Sequence, residues 1–349
     1  MPELRKDPVS NRWVIIATER AKRPSDFVKS VSEENNKKED KNCPFCPGNE
    51  TKTPPEILAY REKDSPPNTP NWWLRVVPNK FPALQIEGAL EKKGIGMFDL
   101  MSGTGAHEVI IETPKHALDF NSLELSQVEE TLWAYRDRSI DLNRDPRFEY
   151  ILIFKNHGIK AGASLEHPHS QLIATPIVPS NVREEMDGAF QYFKYKDRCV
   201  FCDIIREERN SQERVIMEND NFIAITPFAS RFPFECWILP KIHDPVFPDI
   251  TRHEVTALAE VLGGILKKLS KLLNNPPLNY MLHTAPCKID HTQLKHYHWH
   301  IELIPRLTDI AGFEWGSGFF INPTPPEEAA KYFEGMRCKE NLGLNTNFH

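Results

Sequence analysis

Apolar positions along the chain fall into short strand-like runs and long amphipathic stretches, in the same order in both halves. In the first half, residues 13–16, 74–77, 108–112 and 150–154 are short strand-like runs of mainly apolar and β-branched residues bounded by proline and polar residues. Between them, Val128, Leu132, Tyr135 and Leu142 recur at helical spacing. Ser126 with Glu129 forms a capping-box pattern at the start of that stretch, and Asp145-Pro146 ends it, which predicts a helix over 126–143. The second half offers strand runs at 223–226, 235–241 and 280–282. Here Thr251 and Glu254 cap a helix whose face carries Val255, Leu258, Leu262, Ile265, Leu269 and Leu272, and Asn275-Pro276-Pro277 stops it. Residues 25–70, rich in Lys, Glu, Asn and Pro, read as loop.

The repeat extends to chemistry-bearing residues. The first half reads Cys43-x-x-Cys46, Glu108 eight residues before His116, then His167-Pro168-His169. The second reads Cys199-x-x-Cys202, Glu235 eight residues before His243, then His298-Trp299-His300. This is an internal duplication of one module, an antiparallel sheet with a flanking helix, so the expected class is α+β.

Composition narrows the setting. A length of 349 residues is enough for about two domains at ~150 residues each. The 29 prolines predict many turns and few long helices. A net charge of −6 gives no excess of cations for a polynucleotide, so no nucleic-acid partner is expected. The start, Met1-Pro2-Glu3-Leu4-Arg5-Lys6-Asp7-Pro8, has no apolar run like that of a signal peptide, and no segment reaches the ~18–20 apolar residues of a membrane span. The expectation is a cytoplasmic protein with no membrane partner, in which the seven cysteines stay reduced.

Four of those cysteines have a use. A Cys-x-x-Cys pair sets two thiolates on one tight turn, and two imidazoles complete a tetrahedral Zn²⁺ site. The chain offers Cys43, Cys46, His116 and His167, then Cys199, Cys202, His243 and His298. Two closed sites predict two structural zinc ions per chain. The alternatives are buried thiols with core histidines, or a thioredoxin-like redox pair, but no βαβ pattern surrounds either motif. Cys236, Cys287 and Cys338 read as plain thiols.

With His167 spent on metal, His169, two residues further along a strand, shares its face and remains available as a nucleophile toward phosphorus. Upstream, the small-residue loop from Asn156 through Gly162, Ala163 and Ser164 could hold phosphate oxygens with backbone N–H groups and a hydroxyl. Gln171 could donate an amide hydrogen to a phosphoryl oxygen. The plainer alternative is an incidental turn. The second half has His300 at the position of His169 but no glycine before it, so the chemistry is expected in the first half alone, with His296 and His300 structural or solvent-facing.

At these residues the sequence resembles the galactose-1-phosphate uridylyltransferase family, a branch of the histidine-triad superfamily. Asp7-Pro8, Trp13, Arg20-Ala21-Lys22-Arg23-Pro24, Cys43-x-x-Cys46, Asn79, His116, Asn156, Ser164, His167-Pro168-His169-Ser170-Gln171 and Gly312-Phe313-Glu314 carry the resemblance over nearly the whole chain. It implies two histidine-triad-like modules, 1–180 with the nucleophile and first zinc, and 181–349 with the second zinc and hexose contacts. It also implies that His169 attacks the α-phosphorus of UDP-glucose, with the His167 carbonyl accepting from its other ring nitrogen, and that galactose 1-phosphate then takes the uridylyl group. By position, Arg20 and Arg23 would meet the nucleotide phosphates or ribose, and Phe45 and Asn79 the base and ribose. Gly312, Phe313 and Glu314 would meet the hexose, from the partner subunit of a homodimer.

The Cys199/Cys202 pair is similar to the two-zinc branch, which includes plant relatives sharing Phe313-Glu314 and Ile321-Asn322-Pro323 that act as ADP-glucose phosphorylases. An ADP-glucose phosphorylase or adenylyltransferase is therefore the alternative to the UDP-glucose enzyme. A histidine-triad nucleotide hydrolase and a non-catalytic zinc-stabilised binding module are the others.

Overall fold

The computed structural model describes residues 2–17, 22–27, 42–116, 122–290 and 294–342, except for the side chains of 336–342. In chain order the first half contains β1 (Glu3–Lys6), β2 (Trp13–Ile16), α1 (Pro24–Phe27), β3 (Leu58–Arg61), β4 (Trp72–Pro78), β5 (Lys92–Ile95), β6 (Phe98–Met101), β7 (Ala106–Ile111), α2 (Leu125–Leu142), β8 (Tyr150–His157) and β9 (His169–Thr175). The second contains α3 (Ser180–Lys196), α4 (Val200–Ser211), β10 (Val215–Glu218), β11 (Phe222–Ile225), β12 (Cys236–Pro240), α5 (Arg252–Leu273), β13 (Leu278–His283), β14 (His300–Pro305), α6 (Gly312–Ser317), β15 (Phe320–Asn322) and α7 (Pro326–Leu342).

The class is α+β, as expected, but the two modular sheets are fused into one. Ten antiparallel strands run β3-β4-β7-β9-β8-β13-β14-β12-β11-β10. Read from either edge inward, the order is the same, because β3, β4, β7, β8 and β9 correspond to β10, β11, β12, β13 and β14. The halves meet at β8 and β13, where Ile153 to His157 pair with Leu282 to Leu278. Fusion removes the edge that each module would otherwise expose. The helices α2 and α5 then share one core with the sheet, in which Leu132 and Tyr135 join Leu258, Leu262, Leu269, Ile153 and Leu282. The chain ends are also tied together, since β15 pairs parallel with β2 and Arg5 is ion-paired with Glu327.

Four expectations need correction. The segment 25–70, read as loop, contains the edge strand β3, paired with β4. The capping box at Ser126 and Glu129 does not form: α2 begins at Leu125 with Glu124 as N-cap, so Ser126 already lies inside the helix. The corresponding box on α5 does form, with Thr251 Oγ1 accepting from the Glu254 N–H and Glu254 accepting from the Thr251 N–H. The proline count does not shorten the helices, since α2, α3, α5 and α7 run 18, 17, 22 and 17 residues. Prolines sit at helix starts instead, Pro179 as the N-cap of α3 and Pro326 opening α7, where a missing N–H costs nothing. Finally, only the first Cys-x-x-Cys lies on a turn. Cys199 is the N-cap of α4 and Cys202 belongs to its first turn.

Helix α3, which the sequence reading missed, is held close to the N-terminal segment. A Cβ on Gly188 would lie 1.8 Å from the Val9 carbonyl oxygen, so only glycine fits there. Among the described residues, no helix is long and apolar enough to cross a membrane.

Candidate active site and metal centres

His169 opens β9 near the middle of the sheet and is buried. Its Nδ1 lies 2.8 Å from the His167 carbonyl oxygen, so Nδ1 carries the hydrogen and Nε2 presents its lone pair. Burial lowers the His169 pKa and nearby Lys155 acts in the same direction, against the upward pull of the His167 carbonyl and Glu112. A neutral imidazole with its tautomer fixed in this way is a competent nucleophile. The Phe45 ring stands edge-on to it at 5.3 Å between centroids, packed against the imidazole itself.

Gln171 lies two residues along the same face. Its Oε1 is 2.8 Å from His107 Nε2 and 3.5 Å from Asn79 Nδ2. Asn79 Oδ1 accepts from the Phe81 N–H at 2.9 Å, which turns its amide nitrogen toward this pair. His107 was not identified from the sequence. It lies on β7 opposite Ile173, diagonal to Gln171, and the readable signal was a histidine alternating with Val109 and Ile111 on one face of a strand.

Behind β9, on the helix side, Ser170 donates to Glu112, which is ion-paired with Lys155, and Tyr135 joins the hydroxyls of Ser170 and Tyr280. All five groups are buried. Burial lowers the Lys155 pKa, and Glu112 opposes that shift. This network also escaped the sequence, because its members come from four separate elements and the segment just after β7.

Both predicted metal sets assemble. In each, the donor atoms lie within 4.8 Å of one another. In the first set, Cys46 Sγ is 3.4 Å from His116 Nδ1 and 3.6 Å from His167 Nδ1, and Cys43 Sγ is 3.7 Å from His167 Nδ1. In the second, Cys202 Sγ is 3.5 Å from His243 Nδ1 and 3.8 Å from His298 Nδ1. A tetrahedron with bonds of ~2.3 Å to sulfur and ~2.0–2.1 Å to nitrogen has S···N edges of about 3.6 Å. The donor sets therefore fit such an ion. Three of the four remaining ring nitrogens are matched too: His167 Nε2 bonds the Thr113 carbonyl at 2.7 Å, His298 Nε2 that of Pro240 at 2.8 Å and His243 Nε2 that of Leu294 at 3.1 Å. Each bond holds Nδ1 as the ligating atom.

The small-residue loop is built differently from the expectation. Gly158 and Gly162 adopt positive φ of 80° and 88°, which suits glycine. The turn they make uses the Gly162 and Ala163 N–H groups on the carbonyls of Ile159 and Gly158, at 2.9 and 3.2 Å, so these two are not the phosphate donors anticipated. Ser164 is exposed beside them. Asn156 Oδ1 accepts from Asn279 at 2.8 Å, and its Nδ2 lies toward Gly162. Other predicted contacts are not gathered at His169. Arg20 lies outside the described residues. Arg23 is exposed beside α1, whose Phe27 packs edge-on against Phe234 of the second half. Gly312, Phe313 and Glu314 sit on the exposed α6, where Glu314 accepts from the Ala311 N–H at 3.1 Å. Among the described residues, none of these is bonded to the His169 cluster.

The second half repeats the scaffold with different chemistry. His300 Nδ1 lies 3.1 Å from the His298 carbonyl oxygen, as in the first half. Glu302 stands where Gln171 stands, and Arg231 bridges it to Glu235 at 2.6 and 2.9 Å. Strand register pairs Cys236 with Leu303 as it pairs Glu108 with Leu172, so Glu235 is one residue out of step with Glu108 despite their equal spacing from histidine. Glu185, His283 and His300 form a further cluster of three donors within 4.8 Å, which the sequence did not suggest. Burial lowers the His283 pKa, but Glu185 and Glu302 outweigh it and raise it to about 9. His300 is buried rather than solvent-facing, and His296 packs against Phe190 and Phe193.

Comparison with known proteins agrees with this arrangement. The family profile described as Galactose-1-phosphate uridyl transferase, N-terminal domain, matches residues 1–179, and that of the C-terminal domain matches 185–335. An ADP-glucose phosphorylase of Arabidopsis thaliana is 40% identical over 332 residues, covering 95% of this chain and 92% of that protein. A galactose-1-phosphate uridylyltransferase of Thermotoga maritima is 30% identical over 340 residues, covering 95% and 97%. The crystal structure of an Arabidopsis thaliana ADP-glucose phosphorylase with bound ADP-glucose superposes with a TM-score of 0.80 at 36% identity over 95% of this chain and 98% of that one. A solved uridylyltransferase superposes with a TM-score of 0.74 at 28% identity over 97% and 99%. With both halves matched and the relatives aligned over nearly their whole length, the chain belongs to the galactose-1-phosphate uridyl transferase family.

Proposed function

We propose that this chain transfers a nucleoside monophosphate from a sugar nucleotide to an acceptor through His169, with ADP-glucose as donor and inorganic phosphate as acceptor. His169 Nε2 attacks the α-phosphorus, the bond to the bridging oxygen breaks, and glucose 1-phosphate leaves. A phosphate oxygen then displaces the imidazole, the N–P bond breaks, and ADP is released. The observation that carries this reading is the bond from His169 Nδ1 to the His167 carbonyl, which frees Nε2 for attack and supports the positive charge that the ring gains when phosphorylated.

The sequence reading favoured UDP-glucose and galactose 1-phosphate. The adenine preference is supported by the 40% identity to an ADP-glucose phosphorylase, against 30% to the uridylyltransferase over similar coverage. The uridylyl reaction is the second reading, favoured by the family profiles. Two structural zinc ions per chain belong to the proposal, held by the two Cys₂His₂ sets. So does a cytoplasmic homodimer: a second copy would supply the α6 residues Gly312, Phe313 and Glu314, which share no described contact with His169.

The test is incubation with ADP-glucose or UDP-glucose labelled at the α-phosphate. Acid-labile, alkali-stable label from ADP-glucose on the wild type, absent from His169→Ala, is expected. Label from UDP-glucose alone selects the second reading, and label retained by His169→Ala refutes the nucleophile.

A further inference from the structure

The donor end of Gln171 must face the phosphoryl group, yet an amide has two ends of nearly equal size, one donating and one accepting. Something must choose between them. The structure contains a chain of bonds that does so, starting from a backbone group that cannot reverse its role. The Ala83 N–H donates to His107 Nδ1 at 3.0 Å, so Nδ1 is an acceptor and the ring hydrogen resides on Nε2. His107 Nε2–H then requires an acceptor, and the atom 2.8 Å away is Gln171 Oε1. Asn79 stands beside this pair: the Phe81 N–H holds its Oδ1, and its Nδ2 lies 3.1 Å from His107 Nε2 and 3.5 Å from Gln171 Oε1. With Oε1 engaged by the His107 Nε2–H, the Gln171 NH₂ group is the end left for substrate. The Asn79 N–H also donates to the His107 carbonyl at 2.8 Å, so the two residues are placed by one strand ladder.

We propose that His107 is a positioning residue for nucleotidyl transfer: through the Nε2–H tautomer set by the Ala83 N–H, it locks the Gln171 amide with its hydrogens toward the phosphoryl oxygens. An unlocked amide would turn its carbonyl toward those oxygens part of the time, presenting a negative dipole to the charge that must be stabilised. The second half shows the contrast. Glu302 occupies the corresponding position with two acceptor oxygens, and Arg231 instead of a histidine holds it. The proposal rests on the nucleotidyl-transfer reading above.

The experiment measures the single-turnover rate of His169 labelling by α-labelled ADP-glucose, and the half-saturating concentration, for wild type, His107→Leu, His107→Gln, Gln171→Ala and the double variant His107→Leu/Gln171→Ala. Removing an oriented donor outright costs about 10²–10³ in rate, so loss of its orientation in His107→Leu should cost about 10- to 100-fold, with half-saturation moving less than about threefold. His107→Gln places an amide nitrogen where Nε2 stood and should recover to within about threefold of wild type. In the Gln171→Ala background, His107→Leu should add less than about twofold, because the group it positions is gone. Losses that multiply in the double variant, or a His107→Gln enzyme as slow as His107→Leu, overturn the proposal by showing that His107 serves only the fold. The tautomer is read separately in the wild-type protein by long-range ¹H–¹⁵N correlation. A hydrogen on Nε2 is expected, and one on Nδ1 overturns the proposal even if labelling succeeds. Absence of label on wild type with either sugar nucleotide refutes the transfer reading instead.

Discussion

Arg138→Met should weaken the fold more than any surface charge change, and the amount follows from what it leaves behind. Arg138 on α2 reaches Glu108 on β7 through two parallel bonds, Nε to Oε2 and Nη2 to Oε1, both 2.7 Å, with both side chains buried. Glu108 follows His107 on the strand, so the pair clamps the back of β7 to the helix while His107 faces the site. Removing the guanidinium leaves a carboxylate under α2 without its two charged donors, a situation that costs about 3–5 kcal/mol. The third Arg138 contact, with the exposed Asp141 at 2.8 Å, adds little. Urea unfolding followed by tryptophan fluorescence is the assay. With a slope of about 3 kcal/mol/M or more for a chain of this size, the midpoint should fall by about 1 M. The double variant Arg138→Met/Glu108→Leu should regain most of that loss, because it removes the stranded charge and fills the space with apolar atoms. A single variant within about 0.2 M of wild type, or a double variant no better than the single, would refute this account.

Metal analysis should find two zinc ions per chain, falling to one in either Cys46→Ser or Cys202→Ser. Of the two, Cys46→Ser should lose more His169 labelling, because Phe45 lies between its metal set and the reactive ring. Equal losses would separate the first metal from the site, and a wild-type content near one would show that the second set is not a zinc site. The pH dependence of stability should carry the mark of His283, buried against Glu185 at 2.9 Å with Glu302 at 3.9 Å, Arg231 opposing, and His300 stacked on it at 4.9 Å. Its folded pKa is raised from 6.5 to about 9, so the stabilisation is complete below pH 6.5 and disappears as pH rises through 9. That window spans roughly 3 kcal/mol. Wild type should therefore lose more stability between pH 6.5 and 9.5 than His283→Gln, and parallel losses would show that His283 is not charged in the fold.

The duplication, both helices at its centre, the two Cys₂His₂ sets and the histidine proposed as nucleophile could all be read from residue order. Such features rest on local periodicity, or on residue types rare enough that their spacing carries information. Cys43 and Cys46 point to a candidate metal site because few other chemistries need two thiols three residues apart, and the face of α5 repeats Val255, Leu258, Leu262 and Ile265 at helical spacing. What the tertiary structure decided is pairing. The fusion of two sheets at β8 and β13 depends on edge strands whose backbone groups look alike in any sequence. The positioning of Gln171 depends on a histidine 64 residues away, and the Lys155–Glu112–Ser170 network on residues up to 58 apart. Each is an ordinary polar residue, and its role comes from a partner that only the register of β7, β8 and β9 brings within reach. The one-residue offset between Glu108 and Glu235 has the same physical reason. Equal spacing along the chain cannot show which residue of a strand faces which, whereas a hydrogen-bonded ladder does so for every pair at once.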